Sequence, residues 1–280
     1  MVSFGVMLGL SISLVICIAL PVVPFIAMQA KKLRIGRAFL FGVLAFFISQ
    51  IVLRFPLLQL IGQTFWFQTL TMNPVPYGLF LGITAGLFEE FARFLACGLL
   101  LRRNRRYVDA VAFGFGHGGI EAILLAGLPL LNSLIMIAAL NKGTLDSLVG
   151  PVQAETIAKQ LSALTPLMSS LGGVERILAV CTHLGLSILV FTGFVKNKPW
   201  RYLLIAILLH AVVDASVVIV PAYVKMDALG LEAMVGVFAL ALLAWGLWAK
   251  RLFPQPESLP PEPAEESIEL DQIMEEGEPK

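Results

Sequence analysis

Seven stretches of this chain stay apolar for about the 20 residues that a bilayer requires of a spanning helix, and that feature narrows its fold more than any other. They lie near 2–28, 35–55, 76–101, 107–140, 170–195, 201–222 and 228–249. Inside lipid every backbone N–H and C=O must be bonded within the protein, which long apolar runs achieve as α-helices. The expected fold is therefore all-α, a polytopic transmembrane bundle of about seven spans. Composition removes the alternatives. Hydrophobic residues are 58% of the 280 and charged residues 14%, against about 45–50% and about 25% in soluble domains. Too few polar side chains remain to cover a soluble globule. A soluble enzyme, a disulfide scaffold and a nucleic-acid binder are all excluded. Cys17, Cys97 and Cys181 sit in apolar runs and read as small buried hydrophobes.

Charge sets the expected orientation. Thirteen bases (Lys31, Lys32, Arg34, Arg37; Arg102, Arg103, Arg105, Arg106; Lys196, Lys198, Arg201; Lys250, Arg251) fall in alternate connections, and four (Arg54, Lys142, Lys159, Lys225) in the others. Positive loops stay inside, so the N-terminus is expected outside and the C-terminus inside. The first cation is Lys31, so the first apolar run lacks a basic lead and reads as a retained span. Residues 1–252 form the expected transmembrane domain. Residues 253–280, rich in Pro and Glu, form an expected disordered cytoplasmic tail that could bind a cytoplasmic partner. The fourth run is over-long and is expected to break near Leu128–Pro129. Residues 56–75, with Trp66 and Phe67, read as interfacial or re-entrant. The long connection 141–169 carries an amphipathic stretch around Leu148–Leu161.

Against this background the ionisable residues inside the spans stand out. A charge at the bilayer centre costs on the order of 3 kcal/mol even on permissive scales, so such groups face the protein interior and mark function. All three histidines, His117, His183 and His210, lie in spans, with Glu89, Glu90, Arg93, Glu121, Glu175, Arg176 and Asp214. At about 1.5 Å per residue, Glu89, His117, His183 and His210 lie roughly 14–18 Å from the cytoplasmic ends of four different spans. In a core about 30 Å thick that is the midplane, so one shared site is expected there. Glu89 and Arg93, His117 and Glu121, and His210 and Asp214 are each i,i+4, and Arg176 and His183 are i,i+7. Each ring is therefore expected to have a polar neighbour on its own helix face, with Glu121, Glu175 and Arg176 in supporting positions. Taken singly, each group also admits a structural role: an ion pair at Glu89, Glu90 and Arg93, packing at His117, a helix–helix hydrogen bond at His210 and Asp214. The glycines at 114, 116, 118 and 119 flank His117 and allow close helix packing.

The ordered set Glu89-Glu90-x-x-Arg93, Phe113-x-x-x-His117 and His210-x-x-x-Asp214 resembles the motifs of the CAAX prenyl endopeptidase and bacteriocin-processing superfamily of intramembrane proteases. Gly116-His117-Gly118-Gly119-x-Glu121 and Glu175-Arg176 followed by His183 look more closely like the YhfC family of membrane peptidases. The resemblance covers residues 85–215. It implies hydrolysis of a peptide bond in a membrane-embedded or lipid-anchored substrate, in a bacterial plasma membrane. Two mechanisms fit the residues. In one, His117, His183 and His210 bind zinc and leave a position for water, with Glu89 or Glu90 as base and Arg93 holding the other glutamate. In the other, which the CAAX-type resemblance implies, no metal takes part: Glu89 and His117 activate water while His210 and Asp214 support the oxyanion. Competing readings are a proton-coupled transporter, a haem-binding electron carrier with axial histidines, and a membrane sensor or scaffold. No repeat relates the two halves of the chain, which counts against the transporter.

Overall fold

The computed structural model describes residues 1–254; the expected acidic tail lies outside the described residues from 255 onward. Among the described residues every regular element is a helix. Ten are distinguished here: α1 (Phe4–Ala30), α2 (Gly36–Ile61), α3 (Phe65–Thr71), α4 (Pro74–Leu95), α5 (Tyr107–Lys142), α6 (Leu145–Val149), α7 (Pro151–Ser162), α8 (Pro166–Val195), α9 (Pro199–Tyr223) and α10 (Ala228–Leu252). Short polar side chains start several of them. Ser3, Asn73, Thr165 and Asp227 each accept a backbone N–H of the first turn, and Pro74, Pro166 and Pro199 occupy first-turn positions where a missing N–H costs nothing.

Six of these helices, α1, α2, α5, α8, α9 and α10, are long and apolar enough to cross a membrane. The chain is a multi-pass membrane protein. The remaining long helix, α4, runs on through a π-helical turn at Ala96–Leu100 and is as long as the others. It differs because it carries Glu89, Glu90 and Arg93, all buried in the bundle. Lipid-facing surfaces are continuous apolar belts, for example Leu204, Leu208 and Val212 on α9 and Val237, Leu240 and Leu247 on α10. A soluble protein would not expose patches of that extent.

The helix α8 is the axle of the fold. In its most apolar stretch 72% of the residues are buried, against 11–39% in the other spans. Around it pack α1, α5, α9 and α10, while α4 lies along α9 and α2 along α5. Polar contacts pin these neighbours. Ser13 Oγ on α1 donates to the Ser169 carbonyl at 2.8 Å and accepts the Gly173 N–H at 3.0 Å, both on α8. Glycines set the close crossings, two of them backbone against backbone. A Cβ at Gly82 on α4 would overlap the Ala211 carbonyl of α9, and one at Gly116 on α5 would overlap the Phe39 carbonyl of α2.

Three details depart from the sequence reading. The fourth run does not break near Leu128–Pro129. It continues as one 36-residue helix, widened into π turns at Ala122–Gly127 just before Pro129. Those wide turns absorb the proline that would otherwise stop the helix. The second span reaches Ile61 rather than residue 55, so Arg54 lies inside α2 and not in a connection. Of residues 56–75, the first six are thus helix, and the rest include α3, whose Phe67 packs on Tyr77 and Phe80. At the other end Phe253 is buried against Tyr107, with ring centroids 5.5 Å apart. The amphipathic stretch in the long connection folds as α6 and α7, which bury Leu145, Ala154 and Leu161.

Candidate active site

Four helices deliver the ionisable groups to one place. From α4 come Glu89, Glu90 and Arg93; from α5, His117 and Glu121; from α8, Glu175, Arg176 and His183; from α9, His210 and Asp214. Glu89 is the hub. Its Oε2 lies 2.9 Å from His117 Nε2, 3.9 Å from His183 Nδ1 and 3.9 Å from His210 Nε2. Ring centroids of His117 and His183 are 4.9 Å apart, and those of His183 and His210 are 5.6 Å apart. Phe46 meets His117 edge-on at 5.4 Å and Phe113 stacks at 6.2 Å, which fixes that ring and keeps water from its back.

Behind this cluster runs a fully buried ion pair, Arg93 with Glu90. Glu90 Oε1 also holds His210 Nδ1 at 2.8 Å, and Arg93 Nη2 lies 3.3 Å from His183 Nδ1. A second pair, Arg176 with Glu175, extends to Glu121 Oε1 at 3.1 Å, and Glu121 Oε2 reaches His183 Nε2 at 2.5 Å. The i,i+4 partners expected from the sequence give way to partners on other helices at the three histidines, and to the i,i+3 neighbour Glu90 at Arg93. Glu121 serves His183, not His117. Glu90, not Glu89, takes Arg93. His210 is bonded to Glu90, with Asp214 Oδ2 at 3.7 Å, outside hydrogen-bond range. Side chains at i and i+4 share a face, but at a four-helix junction that face meets a neighbour whose carboxylate is closer.

A cavity of about 350 Å³ opens onto the cluster. Glu89, Glu121, Glu175, Arg176, His183, His210 and Asp214 line it, whereas Glu90 and Arg93 lie behind its wall. Two further lining residues, Gln50 and Arg54, escaped the sequence reading. Arg54 had the look of a loop base at the end of an apolar run. The only sequence signal was its i,i+4 spacing from Gln50, a second polar residue in that run.

Comparison with known proteins follows the same residues. Positions 16–239 match the family described as YhfC intramembrane metalloprotease. The chain belongs to the YhfC family. Over 261 residues it is 33% identical to the uncharacterized membrane protein YhfC of Bacillus subtilis (strain 168), covering 90% of this chain and all of that protein. No solved structure matches. The family description makes the chain a member of a membrane protease family, and the donors suit the metal it implies. One donor atom each from Glu89, His117 and His183 lie within 4.8 Å of one another. Two imidazoles and a carboxylate are an established ligand set for catalytic zinc, and donors on a tetrahedral ion with bonds of about 2.0–2.1 Å sit about 3.4 Å apart. The 2.9 and 3.9 Å separations at Glu89 bracket that value. His210, expected from the sequence in the metal set with His117 and His183, lies outside this trio of donors, with its Nε2 3.9 Å from Glu89 Oε2, the same separation as His183 Nδ1.

Proposed function

We propose that this YhfC-family chain is an intramembrane peptidase that hydrolyses a peptide bond of a membrane-embedded or lipid-anchored substrate in a bacterial plasma membrane. The observation that carries the reading is Glu89: a buried carboxylate 2.9 Å from one imidazole and 3.9 Å from two more, at the wall of a cavity. Structural ion pairs do not need to face a cavity. Glu90 and Arg93 fill that bland role, and Glu89 does not.

Zinc would be held by His117, His183 and Glu89, with His210 beside them. The metal's contribution in such a site is Lewis acidity and a water acidic enough to react near neutral pH. The chain's own groups do the rest. Glu90 Oε1 lies 2.8 Å from His210 Nδ1 and orients that ring, with its Nε2 on the side of Glu89 and Asp214. Arg93 pairs with the same Glu90 carboxylate from behind. Glu121, backed by Arg176, orients His183. Asp214, the most accessible carboxylate near the rings, lies 3.7 Å from His210 Nε2 on the cavity side and would help that ring support the oxyanion. Glu89 either completes the metal set or takes the water proton, and the two roles have different readouts.

Metal content and cleavage of a mixed peptide library are measured together on purified protein in detergent, where no gradient exists to drive transport. Wild type is expected to hold one zinc and to cleave. His117→Ala and His183→Ala lose both properties. Glu89→Gln loses cleavage at least about 10²-fold, the typical worth of a positioned acid or base. Retained zinc in that variant marks Glu89 as proton acceptor, and lost zinc marks it as ligand. Metal-free wild type that still cleaves removes zinc from the reading; no cleavage by metal-loaded wild type removes the peptidase.

A further inference from the structure

Arg54 lies in the π-helical stretch of α2 and is 9% exposed, in the wall of the cavity that holds Glu89. All its hydrogen bonds go to neutral oxygens. Nε donates to Thr84 Oγ1 at 3.2 Å, Nη1 to Gln50 Oε1 at 3.0 Å and Nη2 to the Leu81 carbonyl at 2.9 Å. Among the described residues no carboxylate pairs with it, although Glu89 and Asp214 line the same cavity. A guanidinium carries five N–H groups, so two remain uncommitted. Beside it Gln50, 2% exposed, has an Nε2 without a hydrogen-bond partner among the described residues. A buried cation with neutral partners only, next to a buried amide with idle donors, is unfavourable on both counts until an anion arrives. π-helical turns recur at functional sites, and this one sets Gln50 and Arg54 side by side.

We propose that Arg54 and Gln50 form a carboxylate-binding subsite that positions the substrate of the peptidase, a proposal that rests on the reading above. The register is set by α4. Arg54 is tied to Thr84, five residues before Glu89, or about 7.5 Å along the helix. An extended peptide covers that in about two residues at roughly 3.3 Å each. The recognised carboxylate therefore lies about two residues from the scissile bond. It belongs either to the end of the substrate chain or to an acidic side chain.

Calorimetric titration of the full chain in detergent tests this with three probes. These are N-acetyl-dileucine as the free acid, the same dipeptide as its amide, and N-acetyl-leucyl-aspartate amide. At least one carboxylate probe is expected to bind wild type about tenfold or more tightly than the dileucine amide, as a charge-assisted contact should. The preference is expected to fall to about twofold or less in Arg54→Gln and in Gln50→Glu. The second variant gives Arg54 an internal partner and so keeps the fold while blocking the subsite. A tighter free acid identifies a chain terminus, a tighter aspartyl amide an acidic side chain, and either supports the subsite. Equal binding of all three probes, binding by none, or a preference that survives both variants overturns it and leaves Arg54 as a tie between α2 and α4. Cleavage is scored separately on Glu89→Gln, so failure of the peptidase reading leaves a distinct signature: acid preference without hydrolysis.

Discussion

Glu89 and Glu90 are adjacent and chemically identical, yet the bundle gives them different surroundings. Glu90 is sealed against Arg93 and His210; Glu89 faces the cavity and three imidazoles. A helix rotates about 100° per residue, so neighbours on α4 address different sides of the junction. The consequence is a difference in how substitutions act. Glu90→Gln keeps shape but weakens the hold on the His210 ring, and loss of such a supporting carboxylate typically costs 10–100-fold in metal affinity or activity. Glu90→Gln is therefore expected to lower activity about 10–100-fold, less than Glu89→Gln; steady-state kinetics of the two variants side by side check the order. An equal loss in both would mean that the pair acts as one unit.

At the scale of the element, the site depends on how closely four helices approach. Gly82 lets α4 lie against the Ala211 backbone one residue from His210, so the packing glycine and the His210 ring share a crossing. Gly82→Ala inserts a methyl group where there is no room, and overpacking of this kind costs about 1–3 kcal/mol. Thermal unfolding in detergent should register that loss together with a drop in activity, because α4 carries Glu89 away from the rings. Gly36→Ala is the control, since a Cβ there meets nothing within 4 Å; stability close to wild type is expected.

Across the whole molecule the basic connections gather at one end. Arg106 donates to the Leu33 carbonyl at 3.0 Å, and Arg37 to the Leu100 carbonyl at 3.2 Å, joining the connection after α1 to the one after α4. The opposite end joins Val2 N–H to Asn141 Oδ1 at 2.9 Å. With basic loops inside, the N-terminus is expected outside. Labelling with an impermeant maleimide checks this: Ser3→Cys should react in intact cells and Arg103→Cys only after permeabilisation. The native background is low because Cys17 and Cys97 are buried and Cys181 half-buried. The reverse pattern would invert the topology.

Helix class, the approximate course of the spans and the ten ionisable residues that converge were legible in the residues alone, because lipid forces apolar runs into helices and makes each intramembrane charge conspicuous. The motif order along the chain was enough to place the family. Partners were not legible. His117 meets Glu89 and His183 meets Glu121 across helix boundaries, from residues 28 and 62 positions away in the chain, and spacing within one helix says nothing about which helix lies opposite. Arg54 was hidden for the same reason: at the end of an apolar run a base reads as a loop, and only the packing of α2 on α4 turns it inward to the cavity. Local chemistry selects which groups must be buried, whereas the distances between them are set by helix crossings that depend on every neighbour at once.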